Sequence, residues 1–155
     1  MALFVHLGLG CAAKSARVKL NLFVCVVAAF LPDILYFLMM LAGLKNPVNW
    51  THSLVMCLAM ALTFFLVTIL MARNLQAALV YALLVLSHWV VDFITWPLAV
   101  FLKDASHIPI FMETDSVLGI GLYENAFAAY TIEIVALVSS VALLVWFLRK
   151  RRKSG

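Results

Sequence analysis

Charge is what this 155-residue chain has least of. Charged residues make up 12% of it, against about 25% in a soluble domain. No lysine or arginine falls within residues 20–44, 51–72, 77–102 or 126–148. With 66% hydrophobic residues, against roughly 45–50% in soluble domains, this scarcity excludes an ordinary water-soluble fold. Cysteine is also sparse. Cys11, Cys25 and Cys57 are an odd number in apolar surroundings, with no zinc or redox spacing, and read as small packing residues. No basic stretch precedes the apolar residues 1–13; Lys14 comes after them, the reverse of a secretory signal. Cys11 follows Gly10, but Gly8 stands where a lipoprotein cleavage site has leucine. The net charge of +4 does not point to nucleic acid, because the basic residues flank apolar segments and form no stripe with aromatics.

What remains is apolar sequence in long runs. Residues 20–44, 51–72, 77–102 and 126–148 each have the length that a hydrocarbon core demands. Residues 1–13 are too short to cross and read as a half-spanning or interfacial helix. The fold class expected is an all-α integral membrane protein of one domain, with four transmembrane helices, that N-terminal helix and a basic tail at 149–155. Four crossings put Lys14, Arg17, Lys19, Arg73 and the five basic residues from Arg149 to Lys153 on one side, leaving Lys45 and Lys103 on the other. The asymmetry predicts both termini in the cytoplasm. Residues 103–124 then face outward and carry Asp104, Glu113, Asp115 and Glu124. Their apolar content, in Ile108-Pro109-Ile110-Phe111 and Gly119-Ile120-Gly121, suits a re-entrant lid or a plain connector.

Ionisable groups inside the spans are few and placed alike. His88 and Asp92, four residues apart, share one face of the third span. Asp33 lies past the middle of the first, His52 at the outer start of the second, and Glu133 two turns into the fourth. All five belong to the middle or outer half of the membrane, as expected for one site within a bundle and not for scattered interhelical glue. Imidazoles with carboxylates suit a divalent ion, zinc, manganese or iron among them. Buried carboxylates need compensating positive charge, which no lysine or arginine within the spans supplies. A metal ion or a proton can provide it, and the residues alone leave both open. Glu133 reads equally as a base, a ligand or a packing acid. His6, alone on an apolar segment, reads as packed or interfacial. Pro32 could kink the first span; Ser53 and Ser87 read as bonding back to their own helices. Trp50, Trp89 and Trp96 fit anchoring or packing, and Asp104 with His107 a solvated pair.

In their order, His6, Leu31-Pro32-Asp33, Thr51-His52-Ser53, and Leu86-Ser87-His88 with Asp92 resemble a family of small bacterial inner-membrane proteins. That family is described as membrane-bound metal-dependent hydrolases, with some members labelled permeases. Gly119-Ile120-Gly121-Leu122-Tyr123 followed by Glu133 is similar to a subgroup of it. The resemblance implies a site of His6, Asp33, His52, His88 and Asp92 as metal ligands, and their nitrogen and oxygen donors make a divalent ion, zinc or manganese, the expected cofactor. Two departures stand out. Ile34-Leu35 follows Asp33 where a second acid is common, and Asn49-Trp50 precede Thr51 where a basic residue and glycine are common. The first could reduce a two-metal site to one, and the second weakens the case for phosphate binding. The leading expectation is a hydrolase acting on a lipid-like or membrane-accessible ester or phosphoester, with Asp33, His88, Asp92 and Glu133 as the catalytic candidates. Its partners would be membrane lipids. The alternatives are a small transporter using the same residues for a proton or metal ion, for which a homo-oligomer could supply the second half, and a helix-packing module without chemistry.

Overall fold

A computed structural model describes residues 2–14, 19–45, 47–95, 108–109, 117–118, 122 and 125–153. The chain runs α1 (Leu3–Ala13), α2 (Leu22–Ala29), α3 (Leu31–Leu41), α4 (Val48–Thr51), α5 (Leu54–Ala72), α6 (Leu75–Thr95) and α7 (Ala126–Lys153). Between α6 and α7, two residues of β1 (Ile108–Pro109) pair antiparallel with two of β2 (Val117–Leu118). Three helices, α5, α6 and α7, are long and apolar enough to cross a membrane, and four spans result if α2 and α3 count as one bent crossing. That agrees with a membrane location. The expected site of residues 103–124 and the end of the third span at 96–102 lie mostly outside the described residues, as do Trp96, Asp104 and His107.

The first two expected spans are interrupted, and each interruption has a local cause. Helices α2 and α3 meet at 64° around Phe30. Pro32 sits in the first turn of α3, where its missing N–H costs nothing to the new helix but ends the old one. Residues 51–72 do not begin as a single helix. α4 ends at Thr51, His52 leaves helical geometry, and Ser53 restarts the chain as the N-cap of α5, its Oγ accepting from Met56 N at 3.2 Å. Asn21, Asn74 and Asn125 stand before α2, α6 and α7; Asn21 and Asn125 each accept from two backbone N–H groups of the following first turn, and Asn74 from one. The α5–α6 connection is two residues long, with Arg73 in the left-handed conformation at φ 49°.

Packing is that of a bundle in lipid. The buried apolar residues are mostly small, among them Cys25, Ala28, Ala29, Cys57, Ala61, Ala77 and Ala78. Small side chains let helices approach closely where lipid supplies no hydrophobic drive to associate. Large apolar residues point outward, Leu41 at 85% exposure, Met71 at 83% and Phe127 at 80%. The interior instead holds His6, Asp33, Thr51, His52, Ser53, His88, Asp92 and Thr95. This inversion, polar within and apolar without, suits a bilayer and no aqueous surface.

The N-terminal helix is packed into this bundle. α1 lies against α7, α2 and α6, with His6, Gly8 and Gly10 buried. Its 11 residues extend about 16 Å, roughly half the hydrocarbon thickness. Gly8 and Gly10 make the fit possible. A Cβ on Gly8 would lie 2.6 Å from Ser140 Oγ, and one on Gly10 3.0 Å from Val26 Cα.

Candidate metal centre

Four structural pieces deliver five side chains to one point. α1 brings His6 inward between α2 and α6. The Pro32 bend turns the start of α3, and with it Asp33, toward the bundle axis. The α4–α5 break places His52 off the helical path. α6, uninterrupted, presents His88 and Asp92 on one stripe, one turn apart. All five are at most 3% exposed.

Asp92 is the hub. Its Oδ1 lies 3.2 Å from His6 Nε2, and its Oδ2 lies 3.2 Å from His88 Nε2 and 3.7 Å from His52 Nε2. Asp33 Oδ1 lies 3.1 Å from His52 Nε2 and 3.7 Å from His88 Nε2. The His6 and His88 rings stack with centroids 3.8 Å apart and planes 7° from parallel. The edge of His52 meets His88 at 5.3 Å.

The second nitrogen of each ring decides what these contacts mean. His88 Nδ1 donates to the Ala29 carbonyl at 2.8 Å. A carbonyl can only accept, so the Nδ1 proton is fixed and the neutral ring turns a bare Nε2 lone pair toward the carboxylates. Ala29 is the last residue of α2, and its carbonyl is free for this role because the helix stops at the bend. His52 is held in a similar way. Thr51 Oγ1 donates to Pro47 O at 3.3 Å and lies 2.7 Å from His52 Nδ1, an arrangement in which the ring N–H donates to the hydroxyl oxygen and Nε2 faces Asp33. Backbone or hydroxyl anchoring of the far ring nitrogen is the usual support for a metal-ligating imidazole.

Lone pairs facing carboxylate oxygens repel unless a proton or a cation lies between them. The spacing fits a cation. Bonds of about 2.0–2.2 Å to a tetrahedral or octahedral ion separate neighbouring ligand atoms by roughly 3.0–3.5 Å; the three nearest contacts, at 3.1 to 3.2 Å, fall in that range, and two at 3.7 Å lie just beyond it. Two triads, His6–His88–Asp92 and Asp33–His52–His88, each bring their ligand atoms within 4.8 Å of one another. These buried groups could hold a metal ion. Asp33 Oδ2, Asp92 Oδ2 and His6 Nδ1 have no hydrogen-bond partner among the described residues, which is costly for buried polar atoms unless something else satisfies them.

The structure thus brings together His6, Asp33, His52, His88 and Asp92. His6 is included although its own sequence context pointed to simple packing. Glu133 is engaged elsewhere: its carboxylate accepts from Phe4 N at 2.6 Å and Val5 N at 3.1 Å, capping α1. Ser87 bonds back to Leu84 O at 2.7 Å, and Trp50 is 52% exposed. Trp89 stacks on Phe93, its indole Nε1 buried. Sequence reasoning overlooked the Ala29 carbonyl and the Thr51 hydroxyl. Thr51 is adjacent to His52 and could have been found by asking what holds each ring. The Ala29 carbonyl is a backbone group with no side-chain signal.

No family model, no curated protein and no solved structure matches this chain. The family resemblance rests on the ordered motifs alone.

Proposed function

We propose that the protein is a membrane-embedded, metal-dependent hydrolase acting on a lipid-like ester or phosphoester, with both termini in the cytoplasm. The observation that carries this reading is the convergence of three imidazole Nε2 atoms on two carboxylates, with Ala29 holding the neutral His88 ring in the tautomer that turns its Nε2 lone pair inward. Two carboxylates and a divalent ion balance in charge, and no basic side chain within the spans competes for that role. Zinc and manganese both suit a mixed nitrogen and oxygen set. Both triads include His88, whose Nδ1 faces Ala29 and leaves only Nε2 to offer, which favours one shared ion over two.

When bound, such an ion supplies Lewis acidity and an acidified water as nucleophile. The chain's own groups divide the remaining work. Asp92, facing all three rings, is the central ligand. His6, His52 and His88 complete the set, with two of the rings oriented from behind. Asp33 turns one oxygen to the histidines and keeps the other without a partner, which suits it to accept a proton from the attacking water. Exclusion of bulk water by the apolar bundle strengthens each of these interactions.

The test is elemental analysis of the detergent-purified protein beside His88→Ala and Asp33→Ala, with each then assayed on short-chain phosphoesters and carboxylic esters. One zinc or manganese per chain, absent from His88→Ala, with metal-dependent turnover in the wild type, is the expected result. A wild type that takes up neither ion from a tenfold excess would overturn the reading. A metal-loaded wild type inert on all esters would leave ion transport as the reading in its place.

A further inference from the structure

A groove of about 300 Å³ lies at the α2–α3 bend, beside the start of α1. Leu3, Val27, Phe30, Ile34 and Phe37 line it, and Asp33, which also belongs to the histidine cluster, is its one polar lining residue. Phe37 and Leu3, exposed by 55% and 50%, mark its mouth on the apolar surface of the bundle. We propose that this groove binds the hydrocarbon chain of a single-chain amphiphile from the bilayer, and that Asp33 marks where chain gives way to head group. The proposal rests on the hydrolase reading for what the head group meets, though chain binding itself does not need a metal.

Three observations favour this occupant. The walls hold no charge and no side-chain hydrogen-bonding group apart from Asp33, so only an apolar body is accommodated without desolvation cost. The volume lies at the bottom of the roughly 300–1,000 Å³ range of ligand sites, which suits one chain and not two. The third is Asp33 itself, 2% exposed, with Oδ2 lacking any hydrogen-bond partner among the described residues. Its other oxygen belongs to the histidine cluster. One residue, Asp33, is therefore shared by an apolar slot and a ligand set. The charge there predicts a distinction between head groups. An uncharged head group tolerates Asp33 with or without metal, whereas an anionic phosphate beside two carboxylates needs the cation to offset repulsion.

Photolabelling in lipid nanodiscs tests this with two diazirine-tagged probes, a monoacylglycerol and a lysophosphatidic acid. The monoacylglycerol is expected to label peptides containing Leu3 and Val27 to Phe37 in preference to the rest of the lipid-facing surface. Ile34→Trp fills the groove from its mouth, where the side chain is already 37% exposed, and should lower that labelling by about tenfold. Leu70→Trp on α5, at a position 78% exposed, should leave it unchanged. The lysophosphatidic acid should label the same peptides only after zinc or manganese is added. Labelling spread evenly over all lipid-facing helices, or indifferent to Ile34→Trp in a protein of unchanged thermal stability, would overturn the proposal. Should Ile34→Trp fail to fold, Val27→Trp provides the same blockade from the inner wall. Metal-independent labelling of the groove by both probes would uphold the chain site and count against the hydrolase reading, so the two fail separately.

Discussion

Helices α6 and α7 are both uninterrupted, both apolar and both long enough to cross a membrane. Yet α6 carries two of the five converging residues and α7 none. The difference lies in spacing, not in hydropathy. Along α6 the buried positions Ala77, Ala78, Tyr81, Leu84, Val85, His88, Asp92 and Thr95 recur at helical intervals and form one stripe. Along α7 the large residues Phe127, Tyr130, Ile134 and Val138 are exposed by more than half. Its inner contact is a short row from Glu133 through Ala136 to Ser140, applied to α1. In a membrane, where apolar residues face out as readily as in, small and polar residues at a period of 3.6 reveal the working face. One helix holds the centre, and the other holds the helix that completes it.

Substitutions on the two helices should therefore separate. The largest effect is expected from Asp92→Ala on α6, which removes the group facing all three histidines. Metal content should fall to zero by elemental analysis, and stability in detergent by about 3–5 kcal/mol, the cost of breaking a buried ionic network on one side. Retention of metal would break the distinction between the helices. Next in size are the glycines of α1. Gly10→Ala meets backbone, Val26 Cα at 3.0 Å and Cys25 O at 3.2 Å, and should cost about 1–3 kcal/mol with no remedy by trimming a side chain. Gly8→Ala meets chiefly Ser140, so Ser140→Gly should recover part of the loss in a double-mutant cycle of thermal unfolding. Additive effects there would mean that α7 does not seat α1.

Glu133→Ala, also on α7, should cost about 0.5–2 kcal/mol through the lost α1 cap and leave metal stoichiometry at the wild-type value. Loss of the metal would move Glu133 into the centre. The smallest effect has the opposite sign. Arg73→Gly relieves a left-handed residue between α5 and α6 and should stabilise by up to about 1 kcal/mol in chemical denaturation. A destabilised variant would show that the side chain does more than tolerate the turn.

Much of the site was legible because ionisable groups are conspicuous against apolar sequence. His88 and Asp92 were paired by helical spacing, and Asp33 and His52 were joined to them by depth. The positions of helix ends were harder to read. Pro32 signals the first break, but between Thr51 and Leu54 no proline or glycine marks the second. Only the Ser53 cap does, and a serine inside an apolar run ordinarily bonds to its own helix. His6 could not be placed from composition, because its burial depends on Gly8 and Gly10 meeting partners more than a hundred and about fifteen residues away respectively. Glu133 was legible as a polar group of interest, with base, ligand and packing acid left open, and the structure engages it with the start of α1. Its sequence context contains nothing to show that two N–H groups at the start of the chain would need it.

That last contact sets an order of events. Glu133 and Ser140 lie near the end of the sequence, while Phe4, Val5 and Gly8 lie near its beginning. A ribosome releases the first helix long before the last, so α1 must wait against α2 and α6 alone, uncapped and without the third of its packing partners, until α7 enters the membrane. The first residue of the centre to be made, His6, is then the last to be secured. The centre closes only on a fully inserted chain, and a truncated product lacking α7 would hold all five groups without the helix that caps and seats α1.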